Sequence, residues 1–149
     1  MLKGINPLLN ADVLHALRAM GHGDDLIISD ANFPSDSVAR QTITGKLLRI
    51  EAGAAEVVRA VLSVMPIDTL VDDAAARMEV ASEPETILPV MHEVQAEVNI
   101  AGGQNTMLPL DRYSFYDRSK QAYAIIQTGE RRFYACFALR KGVIGPNEE

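Results

Sequence analysis

Residues Ala19–Pro34 read AMGHGDDLIISDANFP. Glycines on either side of His22 end whatever helix precedes them, and Pro34 forces Phe33 into an extended conformation. Between them, Leu26–Asp30 is a short apolar run closed by a carboxylate, the pattern of a buried strand. A helix stop, a buried strand and a loop in immediate succession belong to a layered α/β domain, and the neighbouring segments extend that reading.

Toward the N-terminus, Asn10 is placed as an N-cap, and Val13, Leu14 and Leu17 follow at helical spacing up to Gly21. Toward the C-terminus, KLLRIE (46–51) reads as a second strand. Residues 54–65 put Val57, Val58, Val61, Leu62 and Met65 on one helical face, and Pro66 stops the helix. AAARMEV (74–80) reads as a third strand and residues 83–98 as a helix with Pro84 in its first turn. Pro89 falls inside that helix and would split or kink it. AGGQNT (101–106) is a Gly-rich loop, and residues 113–121 form a short helix. Two β-like runs, AYAIIQT (122–128) and FYACFAL (133–139), are joined through GERR, a hairpin signal. The expected fold is one α/β layered domain over residues 1–149, with a mostly parallel or mixed sheet flanked by helices and a C-terminal β-hairpin.

Composition narrows the function classes. With 149 residues, 48% apolar and 23% charged, the chain has an ordinary globular balance and enough length for one sizeable core. A formal net charge of −6 without a basic cluster argues against nucleic acid as a partner, because phosphate-backbone binding needs a local surplus of Lys and Arg. One cysteine, Cys136, forms no internal disulfide. Neither a signal-peptide core nor a run of membrane-spanning length is present, so the expected compartment is the cytoplasm, with no membrane partner.

Several residues can carry chemistry, and each has a plainer alternative. His22 can give and take a proton near neutrality, and its flanking glycines leave the ring unshielded; it can equally be a surface histidine in a helix-ending turn. His15 and His92 read as structural or solvated helix residues. The three histidines share no metal-ligand spacing, so no metal site is expected. Asp30 sits at the carboxyl end of the predicted strand, where ligands collect in open α/β sheets. It can hold sugar hydroxyls or simply cap the next turn. Asp24, beside Gly23, is placed as a cap. Alternation along 133–139 sets Tyr134 and Cys136 on one face, side by side, with Phe133, Ala135, Phe137 and Leu139 on the other. Arg112 and Tyr116 lie one helical turn apart, which can place the Arg over the aromatic ring.

Together, residues 1–34 and RYSFYDRSKQAYAIIQTGERRFYACFALRKGV (112–143) resemble the N- and C-terminal signatures of the L-fucose mutarotase and D-ribose pyranase family. The two motifs stand in the right order and at the right separation, so the resemblance covers nearly the whole chain. The GHGD form and the R-[FY]-x-F-Y-[DE]-R segment resemble the fucose branch. The resemblance implies a cofactor-free isomerase that interconverts the anomers of a free monosaccharide. It implies that His22 is the proton donor, and that Asp30, Arg112, Tyr134, Ala135 and Cys136 bind the sugar. It also implies a ring-like homo-oligomer, typically a decamer, with the site shared between neighbouring subunits. Cys136 departs from the pattern, since the family has Asn there and a thiol is only a weak hydrogen-bond partner. In apolar company on a strand, that thiol reads as inert rather than nucleophilic. Two alternatives stay open beside L-fucose mutarotation: D-ribose pyranase activity, and a sugar-binding or regulatory protein that has lost the chemistry.

Overall fold

The computed structural model describes residues 1–148. Eleven elements follow in the order α1 (Ala11–Ala19), β1 (Asp25–Ser29), α2 (Ser35–Ala39), β2 (Leu47–Ile50), α3 (Ala54–Leu62), β3 (Ala75–Met78), α4 (Pro89–Ile100), β4 (Leu108–Leu110), α5 (Arg112–Gln121), β5 (Ala124–Thr128) and β6 (Phe137–Arg140). The six strands form one mixed sheet in the order β2-β5-β1-β6-β3-β4. β6 runs antiparallel to both of its neighbours, β1 and β3, and the other pairings are parallel.

The centre of the sheet follows from the all-apolar run in β1. Leu26, Ile27 and Ile28 are fully buried, so this strand needs partners on both edges and cover on both faces. Leu26 and Ile28 pack into a core with Val13 and Leu17 of α1, Val57, Val58 and Val61 of α3, and Met91 and Val94 of α4. Ile27 faces the other way, into a smaller core with Phe33, Val38 of α2 and Phe115 of α5. The result is a three-layer α/β/α domain.

The predicted C-terminal hairpin does not form. β5 and β6 both pair with β1, on opposite edges, so β1 lies between them. The cause is the connection, not the strands. Residues 129–136 wrap round the end of β1, where Ala31 N–H donates to the Glu130 carbonyl at 2.8 Å. The buried Glu130 carboxylate anchors this crossing by accepting from Ala54 N–H at the start of α3 and from the N–H groups of Arg131 and Arg132. The Arg132 side chain, with the N–H groups of Arg132 and Ala54, holds the Glu130 carboxyl down at about 2.

Helix ends adjust the expected boundaries. Asn10 caps α1, its Oδ1 accepting from Val13 N–H at 3.1 Å. α1 ends at its C-cap Met20, which turns extended at ψ 140° just before Gly21, and Lys141 Nζ donates to the carbonyls of Leu17 and Met20 left open there. The Asp24 carboxylate accepts from Gly21 N–H at 2.7 Å, the turn cap expected of it, and Gly23 supplies the positive φ of 87°. α4 begins at Pro89 rather than at Glu83: a residue without an N–H opens a helix where no N–H is needed. β6 starts only at Phe137, because Tyr134 adopts φ +60° and breaks the extended run.

Candidate active site

The parallel strands deliver side chains to two ends of the sheet. Asp30 follows the carboxyl end of β1, Arg112 opens α5 just beyond β4, and Tyr134 and Cys136 precede the antiparallel β6; all four therefore meet at one end. They line a cavity of about 550 Å³, large enough for a monosaccharide, together with Phe33, Met78 and Tyr116.

Each wall has a local reason. Asp30 is buried, and its Oδ1 accepts from the N–H groups of Asn32 and Phe33, both at 2.9 Å. One oxygen caps the turn, while the carboxylate lines the cavity. Asp111 caps α5 by accepting from Tyr113 and Ser114 N–H at 3.0 Å, which places Arg112 at the first helical position. The Arg112 guanidinium lies 5.4 Å from the centroid of the Tyr116 ring, as their spacing predicts. No carboxylate among the described residues pairs with it, so it is free for a ligand. Phe33 packs edge-on against Phe115 and Tyr116, with centroids at 5.8 Å and 5.1 Å.

Tyr134 reaches the cavity for a different reason from the alternation expected. It sits outside the strand at φ +60°, and its hydroxyl accepts from Ala81 N–H at 3.4 Å. Ser82, on the facing wall, also has a positive φ of 63°. Two non-glycine residues held in the left-handed region of one cavity are a cost usually met at functional sites. Alternation does hold from residue 135 onward. The Ala135 methyl is fully buried with Phe137 and Leu139 in the core on the opposite face, so its side chain does not line the cavity, contrary to expectation. Cys136 does line it. Burial, then the neighbouring Asp30 charge, pushes its thiol well above the ordinary value, so it stands as a neutral thiol.

His22 is at the other end of the molecule. It precedes β1, whereas Asp30 follows it, and a five-residue strand spans about 16 Å. The ring is 46% exposed, and its Nε2 lies 3.0 Å from Oδ2 of Asp68, whose side chain is almost fully buried. Asp68 Oδ1 accepts from Leu70 N–H at 2.9 Å. That backbone bond, then the bond to His22, holds the Asp68 carboxyl below its usual range. A carboxylate facing Nε2 favours a proton on that nitrogen, and in the neutral ring this leaves Nδ1 as the free lone pair. Sequence reasoning missed Asp68, and no local signal points to it: the pair is separated by 46 positions and is created only when β6 brings the two segments together. The structure therefore joins Asp30, Arg112, Tyr134 and Cys136, and leaves His22 with Asp68 apart. No cluster of three metal-ligating side chains occurs among the described residues, and no helix there is long and apolar enough to cross a membrane.

Comparison with known proteins gives this geometry a context. A model of the RbsD / FucU transport protein family matches residues 3–144. The fucose mutarotase of Homo sapiens is 38% identical over 149 residues, covering 98% of this chain and 96% of that one. Among solved structures, protein Atu2016 is 57% identical, with a TM-score of 0.94 and 97% of each chain covered. The fucose mutarotase from Streptococcus pneumoniae, solved in complex with L-fucose, is 37% identical with a TM-score of 0.86, covering 97% of this chain and 100% of that one.

Proposed function

The chain belongs to the RbsD / FucU transport protein family, and from that premise we propose that it is a sugar mutarotase, an isomerase interconverting the α and β anomers of free L-fucose. The observation that carries the reading is the cavity at the carboxyl end of the sheet. It combines an unpaired guanidinium, a buried carboxylate, a tyrosine hydroxyl and an aromatic wall, the groups that grip sugar hydroxyls and a sugar ring face. Relatives that carry the fucose mutarotase name match over nearly their full length.

The reaction needs a base and an acid that exchange roles. The base removes the proton of the anomeric hydroxyl, the bond from C1 to the ring oxygen breaks, and the ring oxygen takes up a proton. The open-chain aldehyde then rotates about C1–C2 and recloses by the reverse steps on its other face. His22 suits this work, because Nδ1 can take a proton and return it while Asp68 steadies the ring through Nε2. Asp30 and Arg112 hold the sugar by its hydroxyls, and Tyr134 closes the pocket beside them. Cys136 contributes volume and a weak donor where an amide would contribute two strong interactions, so discrimination among hydroxyl patterns rests on Asp30 and Arg112.

His22 cannot cross its own sheet, so the reading requires a second copy. One copy offers the cavity at one end, and another offers the exposed His22 with Asp68 at the other. A contact between unlike ends is heterologous, and repeated by rotation it closes into a ring. A ring-like homo-oligomer such as a decamer, working in the cytoplasm, completes the proposal.

The test is magnetisation exchange between the α and β anomers of L-fucose, followed by NMR with and without protein. Acceleration that disappears in His22→Gln is the expected result. No acceleration with L-fucose, D-ribose, galactose or arabinose would overturn the catalytic reading.

A further inference from the structure

Asp68 stands on a connection, residues 66–74, that has no secondary structure of its own to hold it. It is held by the end of β6 and the residues just after it, with Ile67 bridged to Lys141. The Arg140 carbonyl accepts from Asp68 N–H at 3.0 Å, and Arg140 N–H donates to the Ala74 carbonyl at 2.7 Å. The same residue's Nη1 donates to Asp73 Oδ1 at 2.7 Å. Both limbs of the connection are thus fastened to Arg140, with Gly142 N–H donating to the Pro66 carbonyl beside them. The guanidinium is itself held. Its Nε and Nη2 reach the two oxygens of Asp25 at 3.2 and 3.3 Å, and Arg118 grips the same carboxylate at 2.9 and 3.0 Å. Arg118 also donates to the Asp73 carbonyl at 2.9 Å.

Two arginines and two aspartates balance in charge, so the cluster needs no outside ion, and it is half-buried at the N-terminal end of β1, next to His22. Backbone bonds from β6 would hold the connection near the sheet with any residue at 140. The side-chain bond to Asp73 adds to the backbone bond at Ala74 and draws the second limb against the first, which carries Asp68.

We propose that Arg140 is a positioning residue for His22, acting through Asp68: by clamping both limbs of residues 66–74 it holds the Asp68 carboxylate at hydrogen-bonding distance from the imidazole. The proposal deepens the mutarotase reading and rests on it for the kinetic part of its test. Arg140 does not line the cavity of its own chain and reaches His22 only through Asp68, so its loss is expected to act on turnover and not on sugar affinity.

The experiment uses the full-length protein and two readouts. In anomer exchange, Arg140→Gln is expected to lower kcat about five- to twentyfold, the worth of one charge-assisted contact to a positioned group, with KM changed less than about twofold. Arg140→Lys recovers part of the loss. In an Asp68→Asn background, Arg140→Gln costs nothing further, because the residue it positions has already gone. Should Arg140→Gln fail to fold, Asp73→Asn cuts only the outer bond of the clamp and is expected to act in the same direction. The second readout needs no turnover. ¹⁵N shifts of the His22 ring report a single Nε2–H tautomer in the wild type and a mixture in Arg140→Gln or Asp73→Asn. A wild type that does not turn over refutes the mutarotase reading alone, and the ring shifts still decide the clamp. Unchanged His22 shifts in both variants, or kinetic losses that add to that of Asp68→Asn, overturn the proposal.

Discussion

Replacing Asp68 with Asn isolates what the buried carboxylate does for His22. The substitution keeps the shape and keeps an oxygen to accept from Leu70 N–H, now 2.9 Å away, so the connection should stay in place. What it removes is the charge 3.0 Å from Nε2. An amide can turn its NH₂ toward the ring as readily as its oxygen, so the proton on the imidazole is no longer fixed. A hydrogen bond to a charged group is worth about 1.5–3 kcal/mol. Because the His22 side chain is 46% exposed, the lower part of that range applies, about 1–2 kcal/mol after screening by solvent. If the bond acts in the transition state, kcat falls roughly five- to thirtyfold and KM stays nearly constant. Anomer exchange measured over a range of L-fucose concentrations separates the two constants, and a melting curve monitors the fold. A kcat within about twofold of wild type would refute the reasoning, as would a loss appearing only in KM.

Three further outcomes follow from the same geometry. Arg112→Ala removes the cavity's unpaired guanidinium and should raise KM for L-fucose roughly tenfold or more while the melting temperature barely moves; unchanged KM would remove Arg112 from the binding site. Glu130 has its pKa lowered from 4.5 to about 2 in the folded chain. Its contribution is therefore complete above about pH 5 and is lost as pH falls toward about 2, and it amounts to about 2 kcal/mol once the half-exposed Arg132 is allowed for. Denaturant titrations from pH 6 to 2 should show a shallower acid loss for Glu130→Gln, and parallel curves would contradict the assignment. The raised, buried Cys136 thiol should resist iodoacetamide at pH 8 in the native protein and react promptly in urea; fast native alkylation would mean that the cavity floor is open.

How much of this was legible in the sequence depends on whether the signal was local. β1 announced itself because its burial on both faces leaves an unbroken apolar run, and Asn10 did so because capping is a short-range event. Asp30 lies just after β1 and Arg112 at the start of α5, positions that strand ends and helix starts fix relative to the sheet. The hairpin failed on a non-local fact. GERR carries turn-forming residues, but Glu130 spends its side chain on the start of α3 and carries the chain past β1. The pattern from residue 83 predicts a helix that starts too early, because Pro89 is the opening residue of α4 and not an interruption within it. Alternation sets Tyr134 beside Cys136, but Tyr134 reaches the cavity by a left-handed turn, which nothing in a Tyr-Ala-Cys triplet announces. Ala135 followed from the resemblance alone, and its methyl faces the other core. Asp68 became visible only with the tertiary contact that brings it to His22.

The central claim is that the working site joins the cavity of one copy to His22 of another, and complementation tests it most directly. At L-fucose concentrations well below KM, where a raised KM lowers the rate in proportion, His22→Gln and Arg112→Ala are each expected to keep about a tenth of wild-type anomer exchange or less. Unfolded together and refolded as a 1:1 mixture, they should recover about a quarter of wild-type activity, because about one contact in four then pairs an intact cavity with an intact His22. A mixture no more active than its two components would place both residues in a single-chain site and contradict the account.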